Sequence, residues 1–286
     1  MKNLSPRILF IFKMLCVYSF LIFIAITLLL PCVWLIESAF KNVGEIFSPT
    51  LTLIPESVTL ENFHKLITYT SFLRWLYNSI IISLSYMLLG VFLCSLAGYA
   101  FAKMNFKGRN ILFLIVIATM SIPEFVTIIP VFALMARIGW LNTYWALIIP
   151  GVAHPFGIFI MRQYISSIPS EIIEAAIIDG SHEFQIYYKI IIPLSKPALA
   201  ATAIFLFLTS WQAYIYPLIL VQTSDMYTIN LGIAQLFNSA MTTYQEGIDF
   251  GTISAASFIS LLPILIIFIF LQKYYIAGLT GGAIKG

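Results

Sequence analysis

The chain has 286 residues, of which 60% are hydrophobic and only 9% charged, with a mean hydropathy of +0.97; this excludes a water-soluble domain and makes lipid the solvent for most of it. Fifteen Lys and Arg against twelve Asp and Glu leave a net charge of +3, too small and too scattered for nucleic-acid binding. The three cysteines, Cys16, Cys32 and Cys94, lie in apolar runs without metal-ligand spacing and read as small core residues, so no metal site, disulfide or cofactor is expected.

Cutting the chain at its charges leaves six segments long enough for the roughly 20 residues a bilayer core requires: 14–36, 75–102, 110–136, 138–161, 197–224 and 250–272. Backbone groups in hydrocarbon must be satisfied internally, so each segment is expected to be a helix somewhat shorter than the segment itself. The fold class is then all-α and integral to the membrane, a single transmembrane domain covering 1–286. The first segment has 23 uncharged residues and no small-residue cleavage pattern, which points to an anchor instead of a removed signal. Residues 37–74 follow as an outer loop with Pro49, Pro55 and a short helix at 61–67. An inner loop at 163–196 and an outer connection from 222 to 249 are the other long links. The outer connection has Asp225, Glu246 and Asp249 and no base, and Gly232 and Gly247 punctuate it.

Orientation follows from the bases. With an inner N-terminus, the inner side holds Lys2, Arg7, Lys13, Lys103, Lys107, Arg109, Arg162, Lys189, Lys196, Lys273 and Lys285, against Lys41, Lys65, Arg74 and Arg137 outside. Both termini are expected to be cytoplasmic.

The inner loop is the informative stretch. Ser170 reads as a helix cap after Pro169, with Glu171 favoured at the helix N-terminus, and Ile172, Ile173, Ala176 and Ile177 give one apolar face. Gly180 ends this helix, Ser181 can cap a second, and Phe184, Tyr187, Tyr188 and Ile191 line a face of it before Pro193 stops it. Two short amphipathic helices at a bend form a knob that fits a groove in a partner.

Polar residues at membrane depth are candidates for a solute path. Glu124 is the one charge inside a span, 14 residues past residue 110 and so roughly 21 Å along a helix, beyond the midplane toward the outer side. Pro123 and Pro130 can free backbone groups beside it. Asn78, Trp211, Gln212 and Tyr214 complete the candidate path; the aromatic residues serve equally as an interfacial belt, and His154 beside Pro155 reads as a core histidine.

Glu174-Ala175-Ala176, three residues, Gly180, nine residues and Ile190-Ile191-Ile192-Pro193 resemble the EAA loop of importer permeases, with Ile192 in place of the usual Leu and Ser181 in place of a frequent Ala. The resemblance runs from Asn78 to the end and is to the carbohydrate branch. It is carried by Gly98-Tyr99-Ala100-Phe101-Ala102-Lys103 with Lys107-Gly108-Arg109, by Arg162-Gln163-Tyr164 with Ser167-Ile168-Pro169, and by Thr209-Ser210-Trp211 with Pro217. Gln212 and Ala213 depart from the common Asn and acid. The glycine-rich end at 277–286 is similar to the tail of the smaller permease subunit of maltose-type importers.

The resemblance implies a type I ABC importer permease fold and a non-catalytic subunit of an ATP-driven, binding-protein-dependent importer of di- or oligosaccharides, working by alternating access. The sequence has no GxxxxGK[ST] phosphate loop, so ATP acts through a partner. The implied partners are a second, homologous permease, two ATP-binding subunits and an extracytoplasmic solute-binding protein. Glu174, Ala175, Ala176, Asp179, Gly180, Phe184, Ile190 and Pro193 are the implied ATPase-coupling residues. The 223–249 loop is expected to reach the binding protein, and the tail from 278 to leave the last helix and enter the space between the ATPases. An importer for glycerol phosphate or a polyol is the alternative within the class. An ATP-independent secondary transporter is the alternative outside it, disfavoured by the scarcity of buried charge and the lack of an inverted repeat.

Overall fold

The computed structural model describes residues 6–48, 52, 54–242 and 249–283, and of residues 6–9, 242 and 273–283 the backbone alone. Lys2, Lys285 and, in the outer connection, Glu246 and Gly247 lie outside the described residues. The described residues are helical, with no strand among them. In chain order the helices are α1 Pro6–Ala39, α2 Val43–Ile46, α3 Glu61–Tyr69, α4 Phe72–Lys103, α5 Arg109–Thr119, α6 Glu124–Arg137, α7 Tyr144–Ile148 and α8 Pro155–Ser166. They continue as α9 Ser170–Ile178, α10 Glu183–Ile186, α11 Ile192–Leu194, α12 Lys196–Trp211, α13 Ile215–Leu220, α14 Ile229–Thr242 and α15 Phe250–Ala283.

Three of these, α1, α4 and α15, are long and apolar enough to cross a membrane unbroken; counting bent pairs as spans brings the number to six. The unbroken helices outrun their apolar segments instead of falling short of them, because a formed helix adds one hydrogen bond per residue at little cost and its end turns tolerate charges such as Glu37 and Lys103. Likewise α15 continues to Ala283, so the backbone from Gly278 to Ala283 stays helical despite its glycines.

The segments 110–136 and 138–161 are not single helices. The first is α5 and α6 at an angle of 101°, broken ahead of Pro123, which is itself extended (ψ 135°) and disfavours a helical residue before it. The second is α7, with a 3₁₀ turn at Ile149–Gly151, bent by 44° from α8, which Pro155 opens. In the fifth segment α12 ends at Trp211 and the chain re-enters a helix at α13.

Contacts group the chain into two compact units, Met1–Thr70 with Leu236–Ile259 and Ser71–Gln235 with Ser260–Gly286. In the first, α1 presents exposed apolar residues along most of its length, and Cys16 and Cys32 are exposed on it. They are not core residues as the sequence suggests: among the described residues this length of α1 is left exposed. Beyond it, a buried Glu37–Lys41 ion pair at 3.1 Å and the Asn62 amide, which donates to the Ala39 and Lys41 carbonyls, fold the outer loop over. Asp249 caps α15 by accepting from the Thr252 amide and hydroxyl.

In the second unit α4 is the central helix, packed against α8 and α12. Small residues allow that contact: a Cβ on Gly98 would stand 2.6 Å from the Met161 Cβ and 2.9 Å from the Arg162 amide. Cys94 is buried here, as expected. At the other end of α4, residues 224–229 are clamped to its first turns. Asn78 is fully buried, donates to the Asp225 and Tyr227 carbonyls (2.8 and 2.9 Å) and accepts from the Tyr144 hydroxyl (2.8 Å). The Trp75 indole donates to the Ser224 carbonyl and the Ile229 amide to the Ser79 hydroxyl. Gly232 is not loop punctuation; it lies in α14 with the Trp75 ring against it, where a Cβ would come within 2.1 Å.

Candidate functional site: a helical knob and a membrane-depth cavity

The 163–196 loop folds as the two-helix knob its spacing suggests, with different caps. Ser170 is the first residue of α9 and its side chain caps nothing; the Lys103 ammonium reaches the Ile168 carbonyl and the Ser170 hydroxyl instead. The helix ends in a Schellman motif, the Ser181 amide donating to the Ala176 carbonyl and the Gly180 amide to that of Ile177. Gly180 has φ +78° with nothing within 4 Å of where a Cβ would stand, so the backbone angle, not space, requires glycine. His182, not Ser181, caps α10 in a reciprocal capping box with Gln185. A π-helical turn at Tyr187–Ile191 then leads through Pro193 into α12.

One face of the knob is built into the membrane core. Ile173, Ala176, Ile186, Tyr187 and Ile191 are buried in the same cluster as Tyr99, Met161 and Ile165 of α4 and α8. The Tyr99 hydroxyl donates to Glu183 Oε2 at 2.5 Å, and the Tyr187 and Ser95 hydroxyls share a bond of 2.7 Å. Burial pushes the Tyr187 phenol's pKa up against the opposing effect of Ser95, which keeps it neutral. The other face is bare. Glu174, Ala175, Asp179, Gly180, Phe184 and Pro193 are exposed, and Ile190 is half-buried. The apolar stripe divides accordingly: Ile173, Ala176, Tyr187 and Ile191 face inward, while Ile172, Ile177, Phe184 and Tyr188 are exposed together with Ile178, at 85%.

At the level of the α5–α6 break a cavity of about 530 Å³ opens among α5, α6, α7, α8 and α12, and a second of about 340 Å³ adjoins it. Glu124, Thr209, Ala213 and Tyr216 line both. Of the sequence candidates, Glu124, Gln212 and Tyr214 come together at the smaller space. Asn78 and Trp211 line neither. Asn78 is engaged in the clamp, and Trp211 is 2% exposed, stacked on Phe207 at 5.4 Å. His154 lines the larger cavity, its Nδ1 accepting the Phe156 amide at 3.2 Å and its ring set edge-on to Phe205. Tyr216, an aromatic of the fifth segment that the sequence also offers for sugar stacking or an interfacial belt, meets Thr127 hydroxyl to hydroxyl at 2.8 Å; Thr127 is a lining residue the sequence reading missed, and only the approach of α13 to α6 brings the two together.

Residues 90–280 match the model of a family described as "Binding-protein-dependent transport system inner membrane component". Over 272 residues the chain is 39% identical to the arabinooligosaccharides transport system permease protein AraQ of Halalkalibacterium halodurans, covering 94% of each chain. It is 35% identical to the trehalose/maltose transport system permease protein MalG of Thermococcus litoralis, covering 93% of this chain and 94% of that one. In fold it resembles a chain of a bacterial ABC transporter involved in import of the acidic polysaccharide alginate, with a TM-score of 0.81, 22% identity and coverage of 96% and 99%. The chain belongs to the binding-protein-dependent transport system inner membrane component family.

Proposed function

We propose that this chain is one permease subunit of an ATP-driven importer of oligosaccharides, oriented with both termini in the cytoplasm. The single observation that carries the reading is the two-faced knob: one side is fused to α4 and α8, the other leaves large apolar groups and an acid bare, as a docking element on a motor requires. Sugar as cargo is supported by the relatives' names, which specify arabino-, galacto- and malto-type saccharides.

In this reading Glu174, Ala175, Asp179, Gly180 and Phe184 meet the ATP-binding subunits, Ala176 and Ile190 anchor the knob, and Pro193 turns the chain into α12. Nucleotide-driven movement of the motors tilts the knob, and the Tyr99–Glu183 and Tyr187–Ser95 bonds carry the tilt into α4. A second, homologous permease completes the pathway, and an extracytoplasmic binding protein delivers sugar on the side of α14. The Glu124 cavity is the solute path of this half.

Co-purification and reconstitution test the proposal. The chain should bring down an ATPase and a second permease, and proteoliposomes containing all three with the binding protein should accumulate labelled arabino- or malto-oligosaccharide only with internal ATP. Uptake by this chain alone, driven by an ion gradient, contradicts it.

A further inference from the structure

We infer that Glu124 gives the cavity a negative potential that admits uncharged oligosaccharides and rejects anionic ones such as uronates, making this residue a determinant of substrate charge. The inference rests on the transport reading above and narrows its substrate class.

Among the described residues lining the two adjoining cavities, Glu124 is the only charged side chain, and none of them is Lys or Arg. Its carboxylate has no ion-pair or hydrogen-bond partner among the described residues, so its charge is not cancelled within the chain. Pro123 ends the break before α6 and places Glu124 in the first turn of that helix, at the edge shared by the two cavities. The other polar lining residues are neutral donors and acceptors, among them the hydroxyls of Thr127, Thr209, Ser210 and Tyr216, the Gln212 amide and the imidazole of His154. Together with the Phe156 and Tyr86 rings this set offers hydrogen bonds and flat apolar faces, the two properties a neutral sugar matches. An anion entering the cavity meets a like charge at short range, without a cation among the described lining residues to offset it.

Thr127 lies three residues after Glu124 on the same helical face, which puts a thiol there within one turn of the carboxylate. In the assembled transporter, Thr127→Cys is labelled with a cationic (trimethylammonium) and an anionic (sulfonate) methanethiosulfonate reagent of similar size, with background from the native cysteines subtracted. The ratio of the two rates cancels any effect of Glu124 on the thiol's own ionisation and any difference in access. With Glu124 present the cation should react faster than the anion, relative to a free thiol. Glu124→Gln should lower that ratio about tenfold, the effect of one unit charge at short range in a partly screened site. An unchanged ratio in Glu124→Gln overturns the inference, as does a thiol that neither reagent reaches. Uptake of neutral oligosaccharide is scored separately in the parent assembly with Glu124 and Thr127 in place: its occurrence upholds the transport reading whatever the ratio shows, and its lack counts against that reading alone.

Discussion

Single residues in this molecule are constrained for different physical reasons, and substitutions separate them. Asn78 was legible only as a polar residue at membrane depth; its role as a clamp depends on carbonyls almost 150 residues downstream, which no local pattern encodes. Asn78→Ala takes this donor from the Tyr227 carbonyl and the acceptor from the Tyr144 hydroxyl, while the Asp225 carbonyl keeps the Arg74 guanidinium, and should destabilise the protein by about 1–3 kcal/mol, read as a lower unfolding temperature of the purified assembly. An unchanged unfolding temperature would mean the clamp is replaced by water. Gly98 and Gly180 make a second contrast. At Gly98 any side chain meets backbone of α8, so Gly98→Leu should cost about 1–3 kcal/mol or more and reduce the yield of folded protein. At Gly180 the space is open, and Gly180→Ala should cost only the left-handed backbone penalty of about 1–2 kcal/mol.

At the scale of elements, the proposed coupling requires both faces of the knob to hold. Tyr99→Phe removes the bond to Glu183 without altering the exposed face. It should leave ATPase association intact and lower the amount of sugar carried per ATP hydrolysed, measured as both rates in the same proteoliposomes; an unchanged ratio assigns transmission to the packed apolar groups alone. The knob and the apolar segments were legible because their signals are local: runs without charge, an apolar period, a glycine after nine residues of helix. What the sequence did not disclose is non-local. The bend between α5 and α6 was marked by Pro123, yet its 101° angle depends on how α6 packs with α13. Helix α14 was hidden because its apolar run is short and a glycine interrupts it, and that glycine serves a tryptophan from α4. Of the candidate path, Glu124, Gln212 and Tyr214 converge, whereas Trp211, one residue from Gln212, turns into the core, since neighbouring residues at a helix end point in different directions.

For the molecule as a whole, the proposed cytoplasmic orientation rests on the sequence, in which eleven of the fifteen Lys and Arg fall in the termini and the loops assigned to the knob's side. The exposed apolar surfaces of α1 and α4 are what lipid and a second permease would cover. The most direct test is binding-protein-stimulated ATP hydrolysis and sugar uptake by the complete transporter bearing Glu174→Lys or Gly180→Val. Glu174 is exposed and free to form a charge-assisted contact worth about 2 kcal/mol with a motor subunit, and reversing its charge should cost more than losing the contact. The account predicts that sugar binding to the extracytoplasmic protein stays normal while hydrolysis and uptake fall at least tenfold in both variants. Wild-type hydrolysis and uptake in both would contradict it and remove the knob as the coupling element.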